Sequence, residues 1–226
     1  MDLTEWCHLK LGYQFKNLSL LETALTHKSI SNQNNERLEF LGDSILGQII
    51  SIYLYNHLND MDEGALTRMR SHLVNGHKLA EIGQKIHLSE FIVLGQGELR
   101  SGSYNRESVI ANCLEAVFGA IYLDGGIEAI ESVVHSLFFD EFQNLPDPNE
   151  LKDAKTKLQE LLQKNGNPLP TYEVIKETGR PHQKTFTIKC IDQATNNYVT
   201  ASSSSIKKAE QKAAEMLLKR LDGNGD

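Results

Sequence analysis

Residues 35–44 read NERLEFLGDS, acids set among core-type residues, and the fold turns on how this stretch is wound. At roughly 100° per residue, Glu36, Glu39 and Asp43 fall within about 60° of one another on one face of a helix. Leu38, Leu41, Ile45 and Ile49 gather on the opposite face, which the spacing predicts to be buried. Like charges at these spacings repel, and Arg37 points elsewhere. Two readings stay open at this point. The acids form a solvated face, or they are part of an oxygen-only cation site of the kind that suits magnesium or manganese.

A second set of oxygen donors lies in SVIANCLEAVFGA (108–120), where Asn112 and Glu115 stand one helical turn apart and Gly119 leaves the same face uncrowded. Glu39, Asp43, Asn112 and Glu115 together supply ligands from two packed helices, enough for one or two divalent cations and phosphodiester chemistry. Glu63, in MDEGALTRMR (61–70), begins a predicted helix, where its charge also favours the helix N-terminus. No Ser/His/Asp set can be assembled: His27, His57, His72 and His77 are scattered and read as structural or surface residues.

The chain has 226 residues, of which 40% are hydrophobic, so it can build real cores. Its net charge of −7 hides a split, since residues 1–150 carry 10 basic and 21 acidic side chains and residues 151–226 carry 13 and 9. Net charges of −11 and +4 predict two functional units of opposite electrostatics. The three cysteines lack metal-ligand or disulfide spacing. The start, MDLTEWCHLK, has no basic and apolar leader, and no apolar run reaches the length of a membrane span. The expectation is a cytoplasmic protein with no membrane partner.

Helical periodicity runs almost to residue 142, through LSLLETALTH, ERLEFLGDSILGQIISIYLYNHL, EGALTRMRSHLVNGHKLAEIGQKI and SVIANCLEAVFGAIYLDGG. Gly125-Gly126 reads as a helix stop, with a further helix from Ile127 to about Phe142. GQGELRSGSYNRES reads as a loop, and the proline-bearing QNLPDPNE as the region of a linker. Beyond it AKTKLQELLQKN is helical, TYEVIKETG, KTFTIKCID and NNYVTASS alternate as strands do, and SIKKAEQKAAEMLLKRL is helical again. The predicted organisation is an all-α domain over 1–145, a linker over 146–152, and a small α-β-β-β-α domain over 153–223.

NERLEFLGDSILG closely resembles the signature of the ribonuclease III family of double-strand-specific endoribonucleases. ALTHKS (24–29), DEGALTRMRSHLV (62–74) and LGQGELRSGS…ESVIANCLEA (94–116) follow the family's order, and the small domain resembles its double-stranded-RNA-binding domain. The resemblance implies that Glu39, Asp43 and Glu115 are metal-binding carboxylates, with Asp43 and Glu115 tied to catalysis. It implies that Glu36 and Glu63 shape the cleft and engage RNA, and that Phe40 packs into a second subunit of a homodimer. Asn112 stands where the family pattern has aspartate; its amide oxygen can ligate magnesium but brings no charge. The implied function is magnesium-dependent hydrolysis of double-stranded RNA, with manganese as a substitute, acting on ribosomal and other structured precursors and leaving 5′-phosphate and 3′-hydroxyl ends. The alternative is a double-stranded-RNA-binding protein that cuts poorly because Asn112 depletes the site.

In the small domain, Lys207, Lys208, Gln211 and Lys212 line one side of the last helix, whose N-terminus also favours phosphate. The resemblance adds Gln159 and Glu160 as contacts to ribose hydroxyls and His182, in TGRPHQKTF (178–186), as a loop contact to a minor groove. It also marks two departures, Ile206 in the first basic position of the last helix and Glu210 in the last.

Overall fold

The computed structural model describes residues 1–180, 182–221 and 223. The chain divides into two compact units, Met1–Leu151 and Lys152–Asp226. Leu151, inside the expected linker, packs with Leu145 on the helical core of the first unit.

The first unit opens with α1 (Leu3–Trp6), a π-turn over Cys7–Leu11, and α2 (Leu18–Leu25). Then come α3 (Glu36–His57), α4 (Glu63–Leu73), α5 (Gly76–Lys85), α6 (Gln96–Arg100), α7 (Glu107–Leu137) and α8 (Phe139–Gln143). The run expected as one helix over 63–86 is broken into α4 and α5. Asn75 leaves the helix there and its side chain caps α5, accepting from the Lys78 N–H at 2.9 Å. Local capping chemistry defeats a continuous hydrophobic period. The segment expected as loop contains α6 and a 3-10 turn over Ser103–Asn105.

Helix α7 runs through the middle of the unit, with Leu114, Ala116, Val117, Phe118, Ala120 and Ile121 fully buried. By length and mean hydropathy this helix is apolar enough to cross a membrane, which run-by-run inspection of the sequence overlooks; here it is the packed centre of the core. Its backbone leaves the helical region at Gly126 (φ 80°, ψ −173°), in the expected Gly125-Gly126 break. Asp124 locks that bend by accepting from Tyr13 Oη at 2.7 Å and from the N–H groups of Lys16 and Asn17, both at 2.8 Å.

Helix α3 lies against α7 with Leu38, Ile45, Leu46, Ile49, Ile50 and Leu54 buried. The two backbones meet at Gly42 and Gly119. A Cβ on Gly42 would run into the carbonyl oxygen of Glu115, and one on Gly119 into that of Leu38. Glycine at both positions is what lets the helices cross in backbone contact, with the side chains of both flanking rows brought to one edge.

The second unit holds α9 (Ala154–Lys164), β1 (Thr171–Thr178), β2 (Thr185–Ile191), β3 (Tyr198–Ser203) and α10 (Ile206–Leu221). The strands form an antiparallel sheet in the order β1-β2-β3, with a register shift in β1 between Val174 and Lys176. Ile188 and Cys190 of β2 and Ala201 of β3 point into a core closed by Leu158, Leu162, Ala209, Ala213, Ala214 and Leu217 of the helices. Strand alternation and helical period meet in that core, as the α-β-β-β-α reading expects.

Candidate metal centre and nucleic-acid interface

The crossing of α3 and α7 decides the geometry of the acidic site. Residues 39 and 43 on one helix and 112 and 115 on the other flank the glycine contact, so their side chains meet at its edge. Glu39 is half-buried and accepts a hydrogen bond from Asn112. Its carboxyl is held above the ordinary range by burial first, then by Glu36, while Lys28 and the Asn112 amide pull it back. Glu115 is also half-buried; burial, then repulsion from Asp43 and Glu39, push its carboxyl up to about 7. Asp43 and Asn112 are exposed.

These donors are all oxygen, three carboxylates and one amide, and burial and neighbouring acids penalise the charge on Glu39 and Glu115. A divalent cation would relieve that repulsion, so the residues fit a hard metal ion. Among the described residues, no three His, Cys, Asp or Glu side chains stand close enough to enclose an ion by themselves.

A cleft of about 310 Å³ opens beside Glu39 and Asn112, lined also by His27, Lys28, Glu36 and Arg106. Glu36 stands at its rim, paired with Lys28 at 3.1 Å. His27, Lys28 and Arg106 line this cleft and were not among the expected site residues. His27 and Lys28 follow an isolated bridge between Thr26 and Val93, which has no periodicity to betray it, and Arg106 precedes the first turn of α7.

Glu63 lies elsewhere. Asp62, not Glu63, caps α4, accepting from the Ala65 N–H at 2.6 Å. Glu63 accepts from Thr67 Oγ1 at 3.0 Å and lines a separate groove of about 560 Å³ between α4 and the second half of α3. Within one chain it is therefore not part of the acidic site. Phe40 projects from α3 with 77% of its surface exposed, beside a larger groove that includes Leu20, Arg37, Leu41 and Leu123.

In the second unit, the expected nucleic-acid contacts come from three elements. Gln159 and Glu160 lie on α9, His182 is exposed in the β1–β2 turn, and Lys207 and Lys208 are exposed in the first turn of α10. Ser205 caps that turn by accepting from the Lys208 N–H at 3.2 Å. Glu160 pairs with Lys152 at 2.6 Å. Glu210 is turned inward to Lys155 at 2.7 Å, so it does not cancel the charge of the exposed lysines. Pro181, in the same expected loop as His182, lies outside the described residues.

Comparison with known proteins agrees with both halves. Residues 17–142 match the ribonuclease-III-like family and residues 154–221 the double-stranded RNA binding motif. Ribonuclease 3 of Colwellia psychrerythraea is 47% identical over 94% of this chain and 80% of its own length. That of Alkalilimnicola ehrlichii is 46% identical over 94% of this chain and 93% of its own. The crystal structure of the nuclease domain of ribonuclease III from Campylobacter jejuni is 36% identical, with a TM-score of 0.61 over 65% of this chain and all of that one. A second structure of that domain, described for flexibility in its dimer-forming region, is 37% identical, with a TM-score of 0.60 over 62% of this chain and 99% of that one.

A helical domain with a carboxylate-rich helix crossing, joined to a double-stranded-RNA-binding module, defines an endonuclease directed at duplex RNA. Its partner is double-stranded RNA, and nucleases of this class depend on metal ions. The chain belongs to the ribonuclease III family.

Proposed function

We propose that this endoribonuclease works with magnesium, or manganese in its place, held by Glu39, Asp43, Glu115 and the amide oxygen of Asn112. The observation that carries the reading is the Gly42–Gly119 crossing, beside which all four residues lie, Glu39 and Glu115 half-buried and Asp43 and Asn112 exposed. When bound, such a cation activates water and stabilises charge developing on the phosphoryl oxygens. The chain's own contribution is positional. Burial and mutual repulsion keep Glu39 and Glu115 poised to accept a cation, and Asn112 holds Glu39 in place by donating to it. Glu36 and Lys28 edge the cleft where the strand enters.

The second unit reads A-form shape, with Gln159, Glu160 and His182 at ribose hydroxyls and Lys207 and Lys208 on phosphates. Phe40 anchors a homodimer, and Glu63 engages RNA from its own groove. Residues 146–152 link a nuclease domain over 1–145 to a binding domain over 153–223. The substrates are ribosomal, messenger and transfer RNA precursors in the cytoplasm, cut to 5′-phosphate and 3′-hydroxyl ends. A second reading, a binding protein that cuts poorly, is favoured by one observation, the neutral amide at Asn112 engaged with Glu39.

Incubating the full chain with a long RNA duplex, over a magnesium series and with chelator, separates the two. Cleavage that requires the metal is expected. Tight duplex binding with no cleavage at any magnesium or manganese concentration establishes the second reading instead.

A further inference from the structure

Three stretches far apart in sequence meet at the cleft edge opposite the carboxylates: ALTHKS, the turn before α6, and the N-terminus of α7. Their meeting fixes one side chain, His27. The Ser29 N–H donates to Nδ1 of His27 at 3.2 Å, and Ser29 Oγ lies 2.8 Å from the same nitrogen. A backbone N–H can only donate, so Nδ1 is an acceptor. Ser29 Oγ in turn accepts from the Gly95 N–H at 2.8 Å, which leaves its own hydrogen to donate to Nδ1. Two donors thus converge on Nδ1, and the neutral ring carries its hydrogen on Nε2.

The frame around this arrangement is rigid. The His27 N–H donates to the Val93 carbonyl at 3.0 Å and the Val93 N–H to the Leu25 carbonyl at 2.9 Å, so the two segments are pinned by backbone. Gly95 is required at the contact, because a Cβ there would stand 2.7 Å from the Ser29 carbonyl oxygen and 3.1 Å from its Oγ. Among the described residues Nε2 has no hydrogen-bond partner, although the ring lines the cleft shared with Glu39 and Asn112. Glu98, which lines the same cleft, is already held by Ser103 Oγ and stands 3.6 Å from the Arg106 guanidinium. Lys28 and Arg106 also line the cleft, each beside a carboxylate, Glu36 and Glu98, and each can offer a cationic partner to an anionic oxygen.

We propose that His27 is a substrate-contacting residue, whose Nε2–H donates to a non-bridging phosphate oxygen of the RNA strand lying in this cleft. The donor is aimed in advance by the contacts of Ser29. Its fixed orientation costs nothing at the moment of reaction, which is where preorganised donors give their effect. The proposal rests on the endonuclease reading above and gives that site a further residue.

The test is single-turnover cleavage of one RNA hairpin at saturating RNA and magnesium, by the full chain and by His27→Ala, His27→Asn and His27→Gln. The amide nitrogen of glutamine reaches about as far as Nε2, and that of asparagine about as far as Nδ1. His27→Ala and His27→Asn are expected to lose about tenfold or more in rate, and His27→Gln to stay within about threefold. All three are expected to melt like the unmodified chain in chelator. Alanine cutting as fast as histidine, or glutamine falling as far as asparagine while both melt normally, overturns the proposal. If the alanine variant unfolds, the glutamine–asparagine comparison decides alone. An unmodified chain that binds the hairpin and cuts none of it overturns the endonuclease reading and this proposal with it.

Discussion

At the scale of single residues, charge in a partly buried place governs the outcome. Asn112 leaves three negative charges among the four proposed ligand positions, where aspartate would make four. Magnesium sheds water reluctantly and depends on carboxylates to hold it. Asn112→Asp is therefore expected to raise single-turnover cleavage at low magnesium, by roughly tenfold if about 1.4 kcal/mol of transition-state stabilisation returns. Equal rates for the two forms at every metal concentration would mean that charge at this position does not matter. Glu115 makes the complementary case. Its carboxyl keeps a proton in the folded chain, up to about 7, that the unfolded chain gives up near its ordinary value of 4.5. Without metal, stability therefore falls as pH rises across that window. Glu115→Gln should raise the folding stability of the chelator-treated chain, measured by chemical denaturation, by on the order of 2 kcal/mol at about pH 8 allowing for solvent screening, and by much less near pH 5. A gain of the same size at both would contradict this account. The site residues on α3 and α7 were legible because acids and amide recur at helical spacing. The orientation of His27 was not, because it depends on Ser29, which is itself held by a hydrogen bond from Gly95, 66 positions further along.

At the scale of elements, the α3–α7 crossing carries both packing and chemistry. Gly42→Ala would drive a methyl group into the Glu115 carbonyl, and neither backbone can yield without moving the other. A loss of about 1–3 kcal/mol or more is expected in chemical denaturation. Gly97→Ala, an open position in α6, should be neutral or slightly stabilising. Similar losses for both would mean that the crossing is not the cause. In α10 the exposed first-turn lysines meet a capped helix N-terminus. Lys207→Ala and Lys208→Ala are each expected to weaken duplex binding alike across sequences and to lower the log–log salt slope by roughly one. Unchanged slopes in both would show that this face looks only to solvent. The elements themselves were largely readable, since their apolar faces follow the periods of helix and strand. The division of α4 from α5 was not, because a single capping side chain, Asn75, outweighs a pattern that continues through it.

At the scale of the whole molecule, the proposed homodimer rests on Phe40. An aromatic ring this exposed, on the helix that also carries the acids, is a poor surface residue for a monomer and a good anchor for a second copy. Phe40→Ala should weaken the dimer by several kcal/mol in sedimentation equilibrium. A dimer of unchanged tightness would place the interface elsewhere. The opposite net charges of the two halves were visible in the sequence, because a charge count needs no geometry. The clasp at the bend of α7 was not visible. Tyr13 and Asp124, its partners, stand 111 positions apart. On a ribosome adding about 5–20 residues per second, the first turns of the chain emerge roughly 5–20 s before the carboxylate that secures them. The Tyr13 clasp stays open through that interval, so the bend of α7 is secured only after Trp6 can already have met the carbonyl of Ile86.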